Sequence, residues 1–217
     1  MSPLLVLEHE PIAELGQDDI ADLLIKLEND ENRPMIDPAT TIGRRFALPF
    51  YDDVTLIELR DPNWAPAGAR LCFLETDEAL ERLDGTSPLI HKVNAQRGPI
   101  LSRSTVLQYL AFFCFFVRGE EGPFFILDRV QGSRFLPDIY ELPEIEEEFR
   151  EPMIWGDQNP DGSWRTSAMV YYSNALFLSD FEIMRTGMIE MKDDTPIHEG
   201  LSGLIMAPLS IESATTQ

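Results

Sequence analysis

The sequence STVLQYLAFFCFFVRGEEGPFFILDR, residues 104–129, contains the densest apolar run of the chain. Residues 109–117 are almost entirely apolar, residues 119–123 interrupt the run with glycine, glutamate and proline, and residues 124–127 are apolar again. An apolar run of helical length, a Gly/Pro break and a short apolar run are typical of a helix, a turn and a strand. We therefore predict a buried helix, a sharp turn and a central strand, in this order.

Capping residues mark both ends of the predicted helix, residues 104–117. Ser102 and Ser104 lie at its start, where a serine hydroxyl accepts a hydrogen bond from a free backbone amide of the first turn. Arg118 and Gly119 follow it, the order expected where a cation meets the carboxyl end and glycine adopts the left-handed conformation. These signals favour a helix over the alternative, a strand at residues 112–117, which apolar composition alone also permits.

This predicted helix is expected to be buried on every side, because almost no polar side chain interrupts it. The run is shorter than the roughly 20 apolar residues that cross a bilayer. Each buried phenylalanine contributes about 1.5–3 kcal/mol of transfer free energy. A helix with four phenylalanines is therefore the natural core on which a sheet folds.

The charge balance of the chain narrows the classes of partner. The 217 residues include 17 Lys and Arg against 38 Asp and Glu, which gives a formal net charge of -21. Such a chain repels phosphate backbones and anionic membrane surfaces, so we expect neither nucleic acid nor a membrane as a partner. A basic or neutral partner is favoured instead.

The cysteines and the amino terminus indicate a reducing compartment. Cys72 and Cys114 each lie inside an apolar run, which favours buried thiols over a disulfide. The opening residues, MSPLLVLEHEP, have neither the basic region nor the small-residue cleavage site of a signal peptide. We therefore predict a cytoplasmic protein.

Periodicity and turn residues predict the other elements of the chain. Asp18 is the expected N-cap of an amphipathic helix, a second short helix at residues 77–83 is capped by Thr76, and a third occupies residues 142–149. Predicted strands occupy residues 4–7, 54–59, 69–74, 89–93, 124–130 and 169–178. A hairpin is predicted to join residues 181–184 to residues 188–191 through the turn Arg185-Thr186-Gly187, in which the glycine supplies the positive φ.

This order of elements indicates an α+β fold. A buried helix followed by several strands predicts a curved antiparallel sheet wrapped on that helix, with additional α/β elements before it. This is the plan of cystatin-like and nuclear-transport-factor-like folds. Residues 1–100 are expected to form an N-terminal α+β region and residues 101–217 a C-terminal helix-and-sheet region, unless the two form one continuous domain.

The stretch VLQYLAFFCFFVRGEEGPFFIL also resembles one found in an uncharacterised bacterial protein family. The resemblance covers the C-terminal half of the chain. That family has no established activity, so the resemblance implies no substrate, cofactor or site residue.

A calcium-loop pattern opens the segment DQNPDGSW. Asp157, Asn159 and Asp161, followed by Gly162, supply the alternate oxygens that begin such a loop. The pattern then fails, because its twelfth position is Ala168, where a bidentate glutamate is required. The same residues have the composition of a β-turn, which we favour. We predict neither a metal nor a cofactor.

None of the three histidines, His9, His91 and His198, has metal-ligand spacing to another His or to a Cys. His91 is a candidate general base, although a structural role is the alternative that we favour. The sequence contains no phosphate-binding glycine loop and no nucleophile elbow. Cys114 is expected to be unreactive, because burial raises the pKa of a thiol.

A ligand pocket is predicted between the helix and the sheet, because a concave helix-on-sheet fold can hold a small apolar molecule. Its candidate residues are Tyr109, Arg118, Tyr171, Tyr172, Asp180 and His91. Tyr171 and Tyr172 are expected on opposite faces of one strand, so at most one of them faces a given cavity. The alternative is that these hydroxyls lie at the rim of a filled core and bond to the backbone.

These features predict a non-catalytic module that binds an apolar small molecule or a protein partner, with a homodimer among its possible forms. The alternative is a nuclear-transport-factor-like enzyme, a lyase, isomerase or hydrolase, in which a carboxylate or His91 acts with a tyrosine donor. A calcium-binding protein is the third hypothesis.

Overall fold

The computed structural model describes residues 3–28 and 30–212. Within these residues the chain is an α+β protein with four α-helices and three antiparallel sheets, none of which closes into a barrel. No helix in this part of the chain combines the length and the apolar character that crossing a membrane requires.

The N-terminal half forms a five-stranded antiparallel sheet in which each strand pairs with the next along the chain. Its strands are β1 (Ala13–Leu15), β2 (Ile42–Ala47), β3 (Thr55–Arg60), β4 (Leu71–Glu75) and β5 (Leu80–Arg82). Helix α1 (Gln17–Lys26) covers one face, where its Ile20 shares a core cluster with Ile57. Leu56 belongs to the main core on the opposite face, so both faces of this sheet are buried.

Helix α3 (Val106–Phe116) is the predicted buried helix, and the alternative of a strand is wrong. The ring centroid of Phe50 lies 5.2 Å from the centroids of both Tyr109 and Phe112. The rings of Phe112 and Phe116 are 5.0 Å apart. Residues of both large sheets join this cluster, so α3 is enclosed by the N-terminal sheet as well as by the strands that follow it.

The start of α3 differs from the prediction. Its N-cap is Thr105, not Ser102 or Ser104. The Thr105 hydroxyl donates to the carbonyl of Ile100 at 2.7 Å and accepts a hydrogen bond from the backbone amide of Ser102 at 2.9 Å. The capping hydroxyl therefore holds the preceding loop instead of the first helical turn.

The predicted glycine cap at the end of α3 is wrong. The chain becomes extended after the helix and forms β6 (Arg118–Gly119) and β7 (Gly122–Pro123), which pair as a short hairpin. The backbone amide of Arg118 donates to the carbonyl of Gly85 at 2.9 Å. This long-range hydrogen bond holds the chain in an extended conformation after the helix, so Gly119 lies in the strand pair and does not cap α3.

The C-terminal half forms a second antiparallel sheet. Its strands are β8 (Phe125–Leu127), β9 (Met153–Ile154), β10 (Trp164–Tyr172), β11 (Ala175–Ile183) and β12 (Ile189–Glu199). The strand order is β12-β11-β10-β8, and β9 also pairs with β10. Helix α4 (Leu142–Glu148) confirms the predicted acidic helix, and α3 packs against β8.

The predicted strand at residues 169–178 is wrong, because these residues span two strands of a hairpin. The turn between β10 and β11 places Ser173 at φ 55°, a conformation that glycine usually signals. Because the sequence has serine and not glycine at this position, the two buried strands look like one continuous apolar run. The hairpin predicted between residues 181–184 and 188–191 is confirmed by the pairing of β11 with β12.

The predicted strand at residues 89–93 is also wrong, because these residues belong to helix α2 (Pro88–Arg97). Ile90 and Val93 are buried at helical spacing. Pro88 lies in the first turn, and Gly98 ends the helix with φ 70°. Both boundary signals are therefore present in the sequence.

Two short segments were also assigned wrongly. Residues 4–7 carry a 3-10 helix (Val6–Glu8) in place of a strand, and β5 replaces the helix predicted at residues 77–83. The Thr76 hydroxyl accepts a hydrogen bond from the backbone amide of Ala79 at 3.0 Å. This bond closes a local turn in place of a helix cap.

The remaining elements are confirmed with shifted bounds. Helix α1 has Gly16 as its N-cap in place of Asp18, and the Asp19 carboxylate accepts a hydrogen bond from the Gly16 amide at 2.8 Å. Strands β3 and β4 correspond to the strands predicted at residues 54–59 and 69–74. Strand β8 is shorter than predicted.

The two halves of the chain are tied together by polar contacts as well as by the core. The backbone amide of Leu4 donates to the carboxylate of Asp128 at 2.5 Å, and Arg129 pairs with Glu8 at 2.5 Å. The main core cluster contains residues of both halves. The N-terminal segment is thus anchored directly to the loop that follows β8.

We expect the substitution Phe112→Ala to lower the free energy of unfolding by about 3–5 kcal/mol, because it leaves a cavity among packed aromatic rings. Phe112 is fully buried, whereas Ile25 is 73% exposed and provides the control substitution Ile25→Ala. The control should change the free energy of unfolding by no more than about 0.5 kcal/mol in denaturant titrations. Equal effects of both substitutions would contradict the central role of α3.

Candidate functional site

The six residues predicted to line one pocket lie in several separate parts of the structure. The candidate site lies between α2 and the turn that joins β11 to β12: His91 lines its cavity, and Tyr109 lies behind the cavity wall, hydrogen-bonded to Asn94 and Gly187. The other four lie along the C-terminal sheet or beside the end of α3.

Tyr171 and Tyr172 lie on opposite faces of β10, as predicted. Tyr171 is fully buried, and its hydroxyl donates to the carbonyl of Gly203 at 2.8 Å. Burial raises the pKa of Tyr171 to about 12. The ring of Tyr172 stacks on Phe124 at 4.2 Å, and its hydroxyl accepts a hydrogen bond from the amide of Glu121 at 3.2 Å. Both hydroxyls therefore bond to the backbone.

Asp180 and Arg118 lie apart from these tyrosines. Asp180 is exposed and lines a 490 Å³ groove on the C-terminal sheet together with Trp155 and Lys192. Arg118 lies over the ring of Phe115, with its guanidinium carbon 5.4 Å from the ring centroid. Neither residue faces the site that contains Tyr109.

The candidate site is a cavity of 710 Å³ between α2 and the β11–β12 turn. Its walls combine apolar side chains with four polar ones from two distant parts of the chain. The lining residues used below are Ala95, Pro99 and Met188 on the apolar side and His91, Asn94, Arg185 and Thr186 on the polar side. Gly98, the C-cap of α2, also lines it, so the cavity lies beside the carboxyl end of that helix.

A buried chain of hydrogen bonds supports this cavity. The Tyr51 hydroxyl donates to the side-chain carbonyl of Asn94, and the Asn94 amide donates to the Tyr109 hydroxyl at 2.8 Å. The Tyr109 hydroxyl in turn donates to the carbonyl of Gly187 at 2.6 Å. Burial raises the pKa of Tyr51 and of Tyr109, so both hydroxyls stay protonated and fully engaged. They fix the position of Asn94 in the cavity wall.

Gly187 allows the β11–β12 turn to rest on this network. Its φ is 79°, and a Cβ atom at this position would collide with the Asn94 amide and the Tyr109 hydroxyl. The close approach carries Arg185 and Thr186, the two residues before the glycine, to the mouth of the cavity. The glycine predicted for the turn therefore also positions two side chains of the site.

Arg185 is the main electrostatic feature of the cavity. Its side chain lies against Gly162, where the nearest arginine carbon is 3.1 Å from the Cβ position of that glycine. It takes part in none of the ion pairs formed by the described residues. Arg185 is exposed, so its guanidinium can contact a ligand at the mouth of the cavity and brings positive charge there in a chain with a net charge of -21. His91, whose ring lies 5.7 Å from that of Phe113, is on the same wall.

The segment with the calcium-loop pattern forms the predicted β-turn. The amide of Gly162 donates to the carbonyl of Asn159 at 2.8 Å. The Asp161 carboxylate accepts hydrogen bonds from the Ser163 amide at 2.9 Å and from the Ser163 hydroxyl at 2.8 Å, and these bonds lower the pKa of Asp161. Asp157 pairs with Arg103 at 3.3 Å. Among the described residues, no group of three or more His, Cys, Asp or Glu side chains is arranged to hold a metal ion.

Sequence reasoning missed most of this cavity. Asn94 directly follows the strand that was predicted at residues 89–93, and Arg185 and Thr186 were recognised only as turn residues. The sequence did contain one indication of the site. An arginine and a threonine beside a turn glycine place two polar side chains on a rigid hairpin, where they can contact a ligand. Their proximity to α2 is not encoded by local spacing.

Comparisons with protein-family models, curated proteins and solved structures found no match for this chain. The resemblance to an uncharacterised bacterial family therefore stays a prediction. The geometry of the cavity is therefore the basis on which a function is proposed below.

We expect Gly187→Ala to destabilise the protein more than Gly200→Ala. Both glycines have positive φ, which costs an L-residue about 1–2 kcal/mol, but a Cβ at Gly200 meets nothing within 4 Å. The collision at Gly187 should add about 1–3 kcal/mol of overpacking cost, measured as the difference in free energy of unfolding by denaturant titration. Equal losses in the two variants would show that the turn does not rest on the Asn94–Tyr109 pair.

Proposed function

We propose that this protein is a non-catalytic binding protein whose ligand is a small amphipathic carboxylate, held between α2 and the β11–β12 turn. The observation that carries the proposal is the combination of Arg185, which has no ion-pair partner among the described residues, with apolar walls around 710 Å³ of space. This narrows the predicted class of ligand from an apolar molecule to an apolar molecule with an anionic end.

The size and composition of the cavity support this class of ligand. Small-molecule sites typically have volumes of about 300–1,000 Å³ and combine apolar walls with a few placed polar groups. Ala95, Pro99 and Met188 supply apolar contact surface for a hydrocarbon or aromatic body. Met188 is 48% exposed, and a bound ligand would cover it.

The charge at the mouth of the cavity supports an anionic end. A guanidinium binds a carboxylate through two parallel charge-assisted hydrogen bonds, the strongest polar contact that this cavity offers. The Thr186 hydroxyl and the His91 ring can each add a hydrogen bond. The acidic remainder of the surface repels anions, so Arg185 marks where such a ligand gains attraction.

The alternative function, a nuclear-transport-factor-like enzyme, keeps one supporting observation. His91 lies in the cavity wall, where it can act as a base. The tyrosine donor that this hypothesis requires is absent from the cavity as described, since the Tyr109 hydroxyl already donates to Gly187. We therefore favour binding without catalysis. The cystatin-like or nuclear-transport-factor-like plan is likewise a proposal, supported by the antiparallel sheet that follows α3 and packs on it through β8.

We expect octanoate and 3-phenylpropionate to bind the full chain, and octanol and 3-phenylpropanol to bind at least 10-fold more weakly, in isothermal titration calorimetry. The uncharged alcohols keep the apolar body but lose the charge-assisted contact. The variant Arg185→Gln should lower the affinity for octanoate about 10-fold or more. The control Arg165→Gln removes an exposed arginine on β10 and should leave the affinity unchanged.

Several outcomes of this titration would contradict the proposal. Equal affinities for the acids and the alcohols would show that Arg185 does not contribute to binding. Equal losses of octanoate affinity in both variants would indicate an effect of the overall charge. No binding of either acid would reject the ligand class. Conversion of a bound acid, followed by NMR, would favour the enzyme hypothesis instead.

A further inference from the structure

A partly buried cluster of arginines lies around the buried Glu58, away from the cavity described above. Glu58 and Arg60 are two residues apart on β3 and therefore share one face of the sheet. Arg70 directly precedes β4, and the C-terminal half of the chain contributes Arg118 and Arg134. Four guanidiniums thus gather near the carboxylate of Glu58 in a protein that is strongly acidic elsewhere.

Glu58 is the shared anion of three of these arginines. Its carboxylate accepts a hydrogen bond from Arg70 at 2.9 Å and another from Arg134 at 3.5 Å. The Nε atom of Arg60 is 3.7 Å from the same carboxylate, which is too long for a hydrogen bond. The side chain of Glu58 is only 1% exposed, so one negative charge is divided among three buried or half-buried cations.

Arg118, the fourth cation, takes part in no ion pair within the described residues. Burial, together with the charge of Arg70, lowers the pKa of Arg118 to about 10. The thiol of Cys72 lies close enough to interact with both arginines, but burial raises the pKa of Cys72 to about 12. Cys72 therefore stays a neutral thiol and does not supply the missing negative charge.

Two aromatic rings bring these cations together. The guanidinium carbons of Arg70 and Arg134 lie 4.6 Å and 5.0 Å from the ring centroid of Phe135. The ring of Phe135 lies 4.9 Å from that of Phe115, which carries Arg118. Three guanidiniums therefore share one aromatic wall, and this wall limits the water that can screen their repulsion.

Several N–H donors of the cluster have no acceptor. The buried atoms without a hydrogen-bond partner include Nε of Arg60, Nε of Arg70 and one Nη of Arg118. Arg70 is only 6% exposed as a whole residue, so its Nε cannot donate a hydrogen bond to bulk water. Buried charged donors are costly to leave without a partner, and such atoms in a native protein point to a bound ion or water.

We propose that the cluster of Arg60, Arg70, Arg118 and Arg134 binds a small inorganic anion. An anion beside Arg70 and Arg118 accepts the free N–H groups and offsets the excess of four guanidiniums over one carboxylate. A cavity of 540 Å³, lined by Arg134 and Gly132 together with Glu8, Glu10 and Glu14, adjoins Arg134 at the edge of the cluster. The bound anion joins β3 and β4 to the segments that follow α3, so its effect is on stability.

Thermal unfolding of the full chain in sodium chloride and in sodium gluconate, at equal ionic strength, tests this proposal. Gluconate is too bulky to enter the cluster, whereas chloride fits. We expect chloride to raise Tm by about 5 °C with a saturable concentration dependence. A third series in sodium phosphate tests whether a tetrahedral anion binds as well. Equal Tm values in all three salts would overturn the proposal.

The variant Arg118→Gln separates the bound anion from general salt effects. Removing the arginine that lacks an ion pair should abolish the difference between chloride and gluconate and leave Tm in gluconate equal or higher. The control Arg165→Gln, an exposed arginine far from Glu58 in the sequence, should keep the full difference. A difference that survives in Arg118→Gln overturns the assignment to this cluster.

Bromide provides a direct measurement that does not depend on how the variant folds. In crystals of the native chain grown in sodium bromide, anomalous diffraction should place a bromide within hydrogen-bond distance of the Arg70 Nε and the Arg118 guanidinium. No anomalous peak at the cluster would overturn the proposal. This result is independent of ligand binding at Arg185, so either proposal can fail while the other holds.

Discussion

Helix α3 has no polar side, and this property constrains the rest of the protein. A helix that is apolar all round is stable in water only when other elements cover every face. The N-terminal sheet supplies one cover, with Leu56 and Leu74 in the main core, and the C-terminal sheet supplies the other, with Leu127 and Val170. The two sheets are therefore not independent units, because each completes the burial of the same helix.

The enclosure of α3 confines polar chemistry to its two ends. Tyr109, in the first turns, reaches Asn94 and the cavity beside α2, whereas Arg118, just past the last turn, joins the arginine cluster. The 11 residues of the helix span about 16 Å of packed aromatic side chains between them. An arginine lies near each end in an acidic chain, exposed at the cavity in the case of Arg185 and packed on an aromatic ring in the case of Arg118.

The sequence was most informative where one local signal dominated. The phenylalanine run predicted α3, and Arg185-Thr186-Gly187 predicted the β11–β12 turn, because composition and turn chemistry act over a few residues. It misled where two signals competed. Residues 89–93 have the composition of a strand, although Pro88 and Gly98 set the bounds of a helix. β10 and β11 read as one strand because Ser173 takes a glycine-like conformation.

Composition and local periodicity were sufficient for the α+β class, the buried helix and the acidic charge, since each depends on neighbouring residues. Neither site could be read in this way. The cavity joins residues near 91 and 94 to residues near 186, and the arginine cluster joins positions 58 and 70 to positions 118 and 134. Only the burial of α3 between two sheets brings these segments into contact, because that packing, and no local preference, determines where distant loops meet.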